Sequence, residues 1–246
     1  MRSFAVLAAL VLLVAAFATL APASLIDARV ASATGDRVRL AQASGTVWSG
    51  SGSLCDAAGR WCVPIGWRVD ALALLQGALG VTLVPREGSN ARGSIVARDG
   101  TFVLTGVHLE VPAAALESAW STPPVPQFGG ELVVDAPAFR ADAARADGTL
   151  DVRWQRARAT LAGVAIDLGA FDAHAQGGSD GVDVDLANRD GEVGVTGKFR
   201  ITRQAYALDV MLTPARTLPA ALAMIVRSLG TPAADGAVHV TWQGPR

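Results

Sequence analysis

Residues 182–186 read Val182-Asp183-Val184-Asp185-Leu186, an unbroken alternation of apolar and acidic side chains. A period of two puts successive side chains on opposite faces of an extended chain, so this is one strand of a half-buried sheet. The habit recurs in Thr149-Leu150-Asp151-Val152-Arg153-Trp154, and again where Val238, Val240 and Trp242 alternate with His239 and Thr241. Segments 37–41, 46–48, 92–97, 101–111, 131–135, 158–167, 193–201 and 205–212 show it less cleanly. Between them fall the turn pairs Asp99-Gly100, Gly129-Gly130, Asp147-Gly148, Gly177-Gly178 and Asp190-Gly191. Short strands parted by such turns predict a mainly β, antiparallel fold, either a strongly curved sheet or a sandwich-like domain.

Two or three short helices are expected within it. Pro112 suits the first turn of a helix running to Trp120, and Asp70 caps a turn or two through Leu75. Leu218, Leu222, Ile225, Val226 and Leu229 trace a helical stripe between Pro219 and Gly230. The stretch 121–130, STPPVPQFGG, disfavours both helix and central strand and reads as a linker. This divides the chain into an N-terminal segment 1–26, a first β subdomain 27–120, the linker 121–130 and a second β subdomain 131–246. Gly148–Trp154 and Gly236–Trp242 share the pattern G-small-aliphatic-x-V-x-W, which reads either as a reused strand unit or as convergence on a common strand pattern.

From Phe4 to Leu20 the chain carries no charge, and Met1-Arg2-Ser3 supplies a positive flank. Extended through Ile26, the run approaches the ~20 residues a membrane-crossing helix needs. The flank predicts a cytoplasmic N-terminus, with everything after residue 26 outside. A cleaved signal peptide is the rival reading, supported by Ala21-Pro22-Ala23 before Ser24. Either way the remainder is exported. The later apolar stretch Ala71–Val84 is short and broken by Gln76, Gly77 and Gly80, so it is expected in the core.

Cys55 and Cys62 lie in SLCDAAGRWCV, a spacing that fits the two arms of a tight hairpin. In an exported chain this predicts a structural disulfide. No C-x-x-C is present, and no further Cys or His stands nearby to complete a zinc site.

Net charge is −1, with Lys198 the only lysine, so there is no basic footprint for nucleic acid. His108 and His239 fall on the polar phase of their strands; His174 is the third histidine. No P-loop, G-x-S-x-G or H-E-x-x-H occurs, and no nucleophile–base pair or cofactor motif stands out. Gly50-Ser51-Gly52 precedes a β-type segment, with no helix to present a phosphate. Asp180, Asp183, Asp185, Asn188, Asp190 and Glu192 offer oxygen ligands of the kind calcium takes. Their spacing departs from a calcium loop, and they read instead as an acidic strand face and a hairpin turn.

Three short stretches carry a resemblance. Thr19-Leu20-Ala21-Pro22-Ala23-Ser24 ends the apolar run, Ser44-Gly45-Thr46-Val47-Trp48-Ser49-Gly50 follows, and Trp67 precedes Leu74-Leu75 and Gly77. In order and spacing they resemble the type II secretion system protein N family. Physically, Ser44-Gly45 is expected to turn the chain, Thr46-Val47-Trp48 to begin a strand, and Trp48 and Trp67 to anchor a core. The resemblance implies a single-pass protein of the bacterial inner membrane with a periplasmic domain. It implies an accessory, non-enzymatic role in type II secretion, with inner-membrane components and the secretin as partners. Three readings compete: an adaptor that presents sheet edges to partners, a carrier for a hydrophobic ligand such as lipid, and an envelope enzyme, against which the lack of a nucleophile–base or metal constellation speaks. A filled core with bare edge strands favours the first, and an open apolar groove the second.

Overall fold

The computed structural model describes residues 20–119, 126–142, 145–161, 163–214, 220–234 and 236–245. The apolar run Phe4–Leu20 therefore lies outside the described residues but for Leu20. Among the described residues, no helix is long and apolar enough to cross a membrane. The chain divides into two compact units, Met1–Ala91 and Arg92–Arg246.

Among the described residues, the first helix of unit 1 is α1 (Ser24–Thr34), closed by Gly35 in the left-handed conformation. Strands β1 (Val38–Gly45), β2 (Ser49–Asp56), β3 (Cys62–Asp70) and β4 (Leu79–Val84) follow as an antiparallel meander. The short helix α2 (Ala71–Leu75) joins β3 to β4. Its cap is as expected: the Asp70 carboxylate accepts from the amides of Leu72 and Ala73. The core gathers around Ala23, Leu40 and Trp67, with Ile26, Leu54, Ile65, Val69 and Val81 packed on it.

The N-terminal boundary differs from the sequence expectation. Ala21–Ile26, read as the end of the membrane segment, belong to the folded unit. The Ala23 amide donates to the Gly45 carbonyl, and Ser24 opens α1. The alanine-rich sequence SLIDARVASAT shows almost no amphipathic periodicity, so nothing in its pattern separated this helix from the apolar run before it.

Unit 2 carries β5 (Arg92–Arg98), β6 (Thr101–Pro112), β7 (Gln127–Ala141), β8 (Ala146–Leu161) and β9 (Val164–Gly178). It continues with β10 (Gly181–Arg189), β11 (Val193–Thr202), β12 (Ala205–Pro214), helix α3 (Ala220–Ser228), β13 (Thr231–Pro232) and β14 (Val238–Pro245). Each strand from β5 to β12 pairs antiparallel with the next, β14 adds to β12, and β13 adds to β14. The sandwich alternative is not adopted: within each unit the strands lie in a single sheet. Long hairpins hold it, and Asp99-Gly100, both at positive φ, make one of the two-residue turns.

The helix expected from Pro112 is a 3-10 helix over Ala113–Ala119, with Pro112 ending β6. Residues 121–125 of the proline-rich stretch lie outside the described residues, whereas Gln127–Gly130 belong to β7. Of the expected helical stripe, Leu218 lies outside the described residues, Val226 is buried and Leu229 is half exposed. Segment 158–167, read as one strand, contains the β8–β9 turn.

Candidate functional site

The three stretches that carry the resemblance meet at one end of unit 1. Pro22 forms an isolated bridge with Thr46, and the Val47 amide donates to the Ala21 carbonyl at 2.9 Å. The Trp67 indole N–H donates to the Val47 carbonyl at 3.2 Å, and the Val69 amide to the Trp48 carbonyl at 2.7 Å. So the segment leaving the apolar run, the loop between β1 and β2, and the end of β3 are laced together by backbone hydrogen bonds and the Trp67 indole.

The small residues here are dictated by space. A Cβ on Gly50 would lie 2.5 Å from the Ser44 carbonyl oxygen and 2.6 Å from Cζ2 of Trp67. Gly45 sits at φ +88°, where a side chain is strained and would also meet the Ser49 carbonyl. Ser44 Oγ lies 2.9 Å from Ser51 Oγ, and the Thr46 amide donates to the Ser49 carbonyl. Two details depart from the sequence reading. Thr46-Val47-Trp48 does not begin a strand but forms the connection, and β2 starts at Ser49. Trp67 is a core anchor at 5% exposure, whereas Trp48 is only half-buried.

Further along, Cys55 faces Cys62 across the β2–β3 register, and the two form the expected disulfide. Beside it Asp56, 4% exposed, accepts from the amide and guanidinium of Arg60. Desolvation pushes its pKa up, but those hydrogen bonds outweigh it and hold the carboxyl below its ordinary range. Asp27 of α1 accepts from Arg39 and from the Leu40 amide, which lowers its pKa to about 2. Thr34 Oγ1 accepts from the Val38 amide in the same way. Two N–H groups of the β1 edge are thereby satisfied by α1, which closes part of that edge to strand pairing. Nothing in the local sequence pattern singled out Asp27 or Asp56.

In unit 2 the charged residues form a row across the sheet. His108, Asp135, Asp151, His174, Asp185, Lys198 and Asp209 stand opposite one another, strand by strand, from β6 to β12. Asp135 and Asp151 are directly opposed, an arrangement that like charges disfavour. His108 Nδ1 lies 2.6 Å from Asp135, Arg153 lies 2.6 Å from Asp135, and His174 lies 2.6 Å from Asp151, so a guanidinium and two imidazoles flank the acidic pair. Hydrogen bonds to Asp135 and then Glu110 raise the His108 pKa; the bond from His108 above all lowers that of Asp135. His239 pairs with Asp209 at 2.7 Å in like manner.

The acidic cluster near 180–192 is absorbed by structure. Asp183 pairs with Arg200 and Asp185 with Lys198. Asn188 donates to the carbonyls of Leu168 and Val193 and accepts from the Val195 amide, tying β9 and the start of β11 to the end of β10. Among the described residues, no group of three or more His, Cys, Asp or Glu is placed to hold a metal ion. A 680 Å³ cleft in unit 1 is walled mainly by polar groups, including Gln42, Ser51, Ser53, Arg86 and Asn90.

The leucines of the third stretch do not join the core: Leu74 is 39% exposed and Leu75 84%, and their neighbours Leu72 and Leu79 are exposed as well. Ala71–Val84 was expected in the core as a whole, but α2 sits at the sheet end with few partners. Only the later half, with Val81, reaches the core.

The fold and this junction define an antiparallel β protein in which Gly45, Gly50 and Trp67 fix backbone geometry. A family model described as type II secretion system (T2SS), protein N, matches residues 36–241, and the chain belongs to that family. This gives it an accessory role in type II secretion, in the company of other secretion components. No curated protein and no solved structure matches it.

Proposed function

We propose that the protein is a non-enzymatic adaptor of the type II secretion apparatus, anchored in the bacterial inner membrane by its N-terminal segment. In this reading its β-rich domain lies in the periplasm and contacts inner-membrane components and the secretin. The observation that carries it is the state of the strand edges in unit 2. β13 covers β14 only at Val238 and His239, so Val240–Gly244 face no further strand among the described residues. Trp242, 63% exposed, stands on this open edge and packs edge-on against Tyr206, with ring centroids 5.5 Å apart. An unpaired edge flanked by an exposed aromatic suits strand addition by a partner. The carrier alternative needs an apolar groove, and the cleft in unit 1 is polar.

The test is a photo-crosslinking residue at Gln243, with a second at Asp99 as control, in cells carrying the secretion system. The reading expects Gln243 to capture another secretion component and Asp99 to capture none. Capture at neither position, with secretion intact after Trp242→Asp, would count against the edge as the contact.

A further inference from the structure

The strand register fixes which parts of unit 1 share an end of its sheet. Gly45 pairs with Gly50, Ser49 with Arg68, and Asp70 with Gly80. The last residues of β1 and β3 and the first residues of β2 and β4 therefore lie together. The disulfide is at the opposite end, where Val38 pairs with Asp56. The loop 85–90 follows the far end of β4. At the first end the chain arrives from the apolar run, because Pro22 bridges Thr46 and Ala21 accepts from Val47. Leu20, at 72% exposure, precedes that docking point directly.

The exposed leucines of unit 1 collect at this same end. Leu72 and Leu75 are on α2, which leaves β3 at Asp70, and Leu79 opens β4. Leu25 is in the first turn of α1 and is 55% exposed. The half-buried Trp48 lies in the connection between β1 and β2 at this end. Arg68 is exposed there as well. Solvent-exposed leucines gathered on one side of a small unit need a covering partner. Leucines with a tryptophan and a basic residue are the composition of an interfacial surface.

We propose that this end of unit 1 rests on the lipid bilayer, with Leu72, Leu75 and Leu79 entering the headgroup–acyl boundary. The inference rests on the reading of Phe4–Leu20 as a membrane anchor. The occupant follows from where that segment ends: Ala21 is already hydrogen-bonded to the unit, so no linker separates the bilayer from this face. The same geometry accounts for Leu75 of the third motif, which the core does not use. It makes the Ala21–Ser24 stretch and the Gly45–Val47 loop a joint that sets the tilt of unit 1 on the membrane.

The full chain would be placed in nanodiscs of phosphatidylethanolamine and phosphatidylglycerol, with a polarity-sensitive fluorophore on Leu75→Cys or, separately, on Glu87→Cys in the loop after β4. Quenching by doxyl-labelled lipids is then read for each. The expected result is blue-shifted emission and strong quenching at position 75, with water-like, unquenched emission at position 87. Water-like, unquenched emission at 75 in protein that still resists carbonate extraction would overturn the proposal while leaving the anchor standing. Blue-shifted but unquenched emission at 75 would mean that protein, not lipid, covers the leucines. Equal quenching at both positions would refute a fixed face. Release of the chain by carbonate would remove the anchor, and the proposal with it.

Discussion

Units 1 and 2 are both antiparallel meanders, yet different forces set their shapes. In unit 1 the decisive contacts are made to the backbone: Ala21–Ala23 against Gly45–Val47, the Trp67 ring on Gly50, and the Asp27 and Thr34 side chains on the β1 edge. In unit 2 they are between side chains in register, from the His108–Asp135 pair to Lys198–Asp185. A backbone-fitted region tolerates little change at its glycines, whereas a side-chain ladder spreads its stability over many small terms. Each weak exposed pair in such a ladder contributes on the order of 1 kcal/mol or less.

This contrast predicts graded effects. Trp67→Ala should be the most damaging change, about 3–5 kcal/mol, because it empties the centre of the unit 1 core and orphans the Val47 carbonyl. Chemical denaturation of the purified protein would measure it, and His174→Ala in unit 2 should cost far less. Replacing Cys55 and Cys62 together with Ser should cost about 2–3 kcal/mol, since the loop they close is short. Alkylation of the unreduced native protein should label neither thiol, and ready labelling of both would contradict the bridge.

Smaller effects concern pH. The raised His108 pKa gives stability that is fully present below the ordinary histidine value and lost as pH rises through the raised one. The lowered Asp135 pKa gives stability that is present above the ordinary carboxylate value and lost as pH falls through the lowered one. The pair thus supports unit 2 best in mildly acidic solution, with Glu110, Arg92 and Arg153 facing it. Asp135→Asn should bring the His108 pKa down, measurable by NMR titration of the imidazole; an unchanged value would show that Asp135 is not its partner. In unit 1, Asp27→Asn should remove a contribution that fades as pH falls from about 4 toward 2. Hydrogen exchange should then quicken at the Leu40 amide and not at strands of unit 2.

Unit 2 was the more legible from sequence. Strict alternation in Val182–Leu186 and Thr149–Trp154 names both strand and face, because a half-buried sheet needs that period. The two related strands still end differently: Trp154 is buried among Phe128 and Phe171, whereas Trp242 stands exposed. A pattern fixes which face a residue occupies but not what covers that face. In unit 1 the Ser-Gly-Ser-Gly-Ser run of β2 has no apolar period, so the strand was placed too early, at Thr46. The motif residues themselves were legible, as were the disulfide and the Asp70 cap. Their convergence was not, because it depends on hydrogen bonds between segments some twenty residues apart, such as Trp67 to Val47. The exposure of Leu72 and Leu75 was equally hidden, since an apolar run looks the same whether it faces a core or a membrane.

The central claim is that this protein works through contacts and not through turnover. The direct measurement is export of a folded substrate, set beside the steady-state level of each variant, for His108→Ala, His174→Ala, His239→Ala, Asp183→Asn and Trp67→Ala. The account predicts that export follows abundance throughout, with only the tryptophan variant losing both. A histidine or aspartate variant that is folded and normally abundant, yet exports nothing, would contradict it.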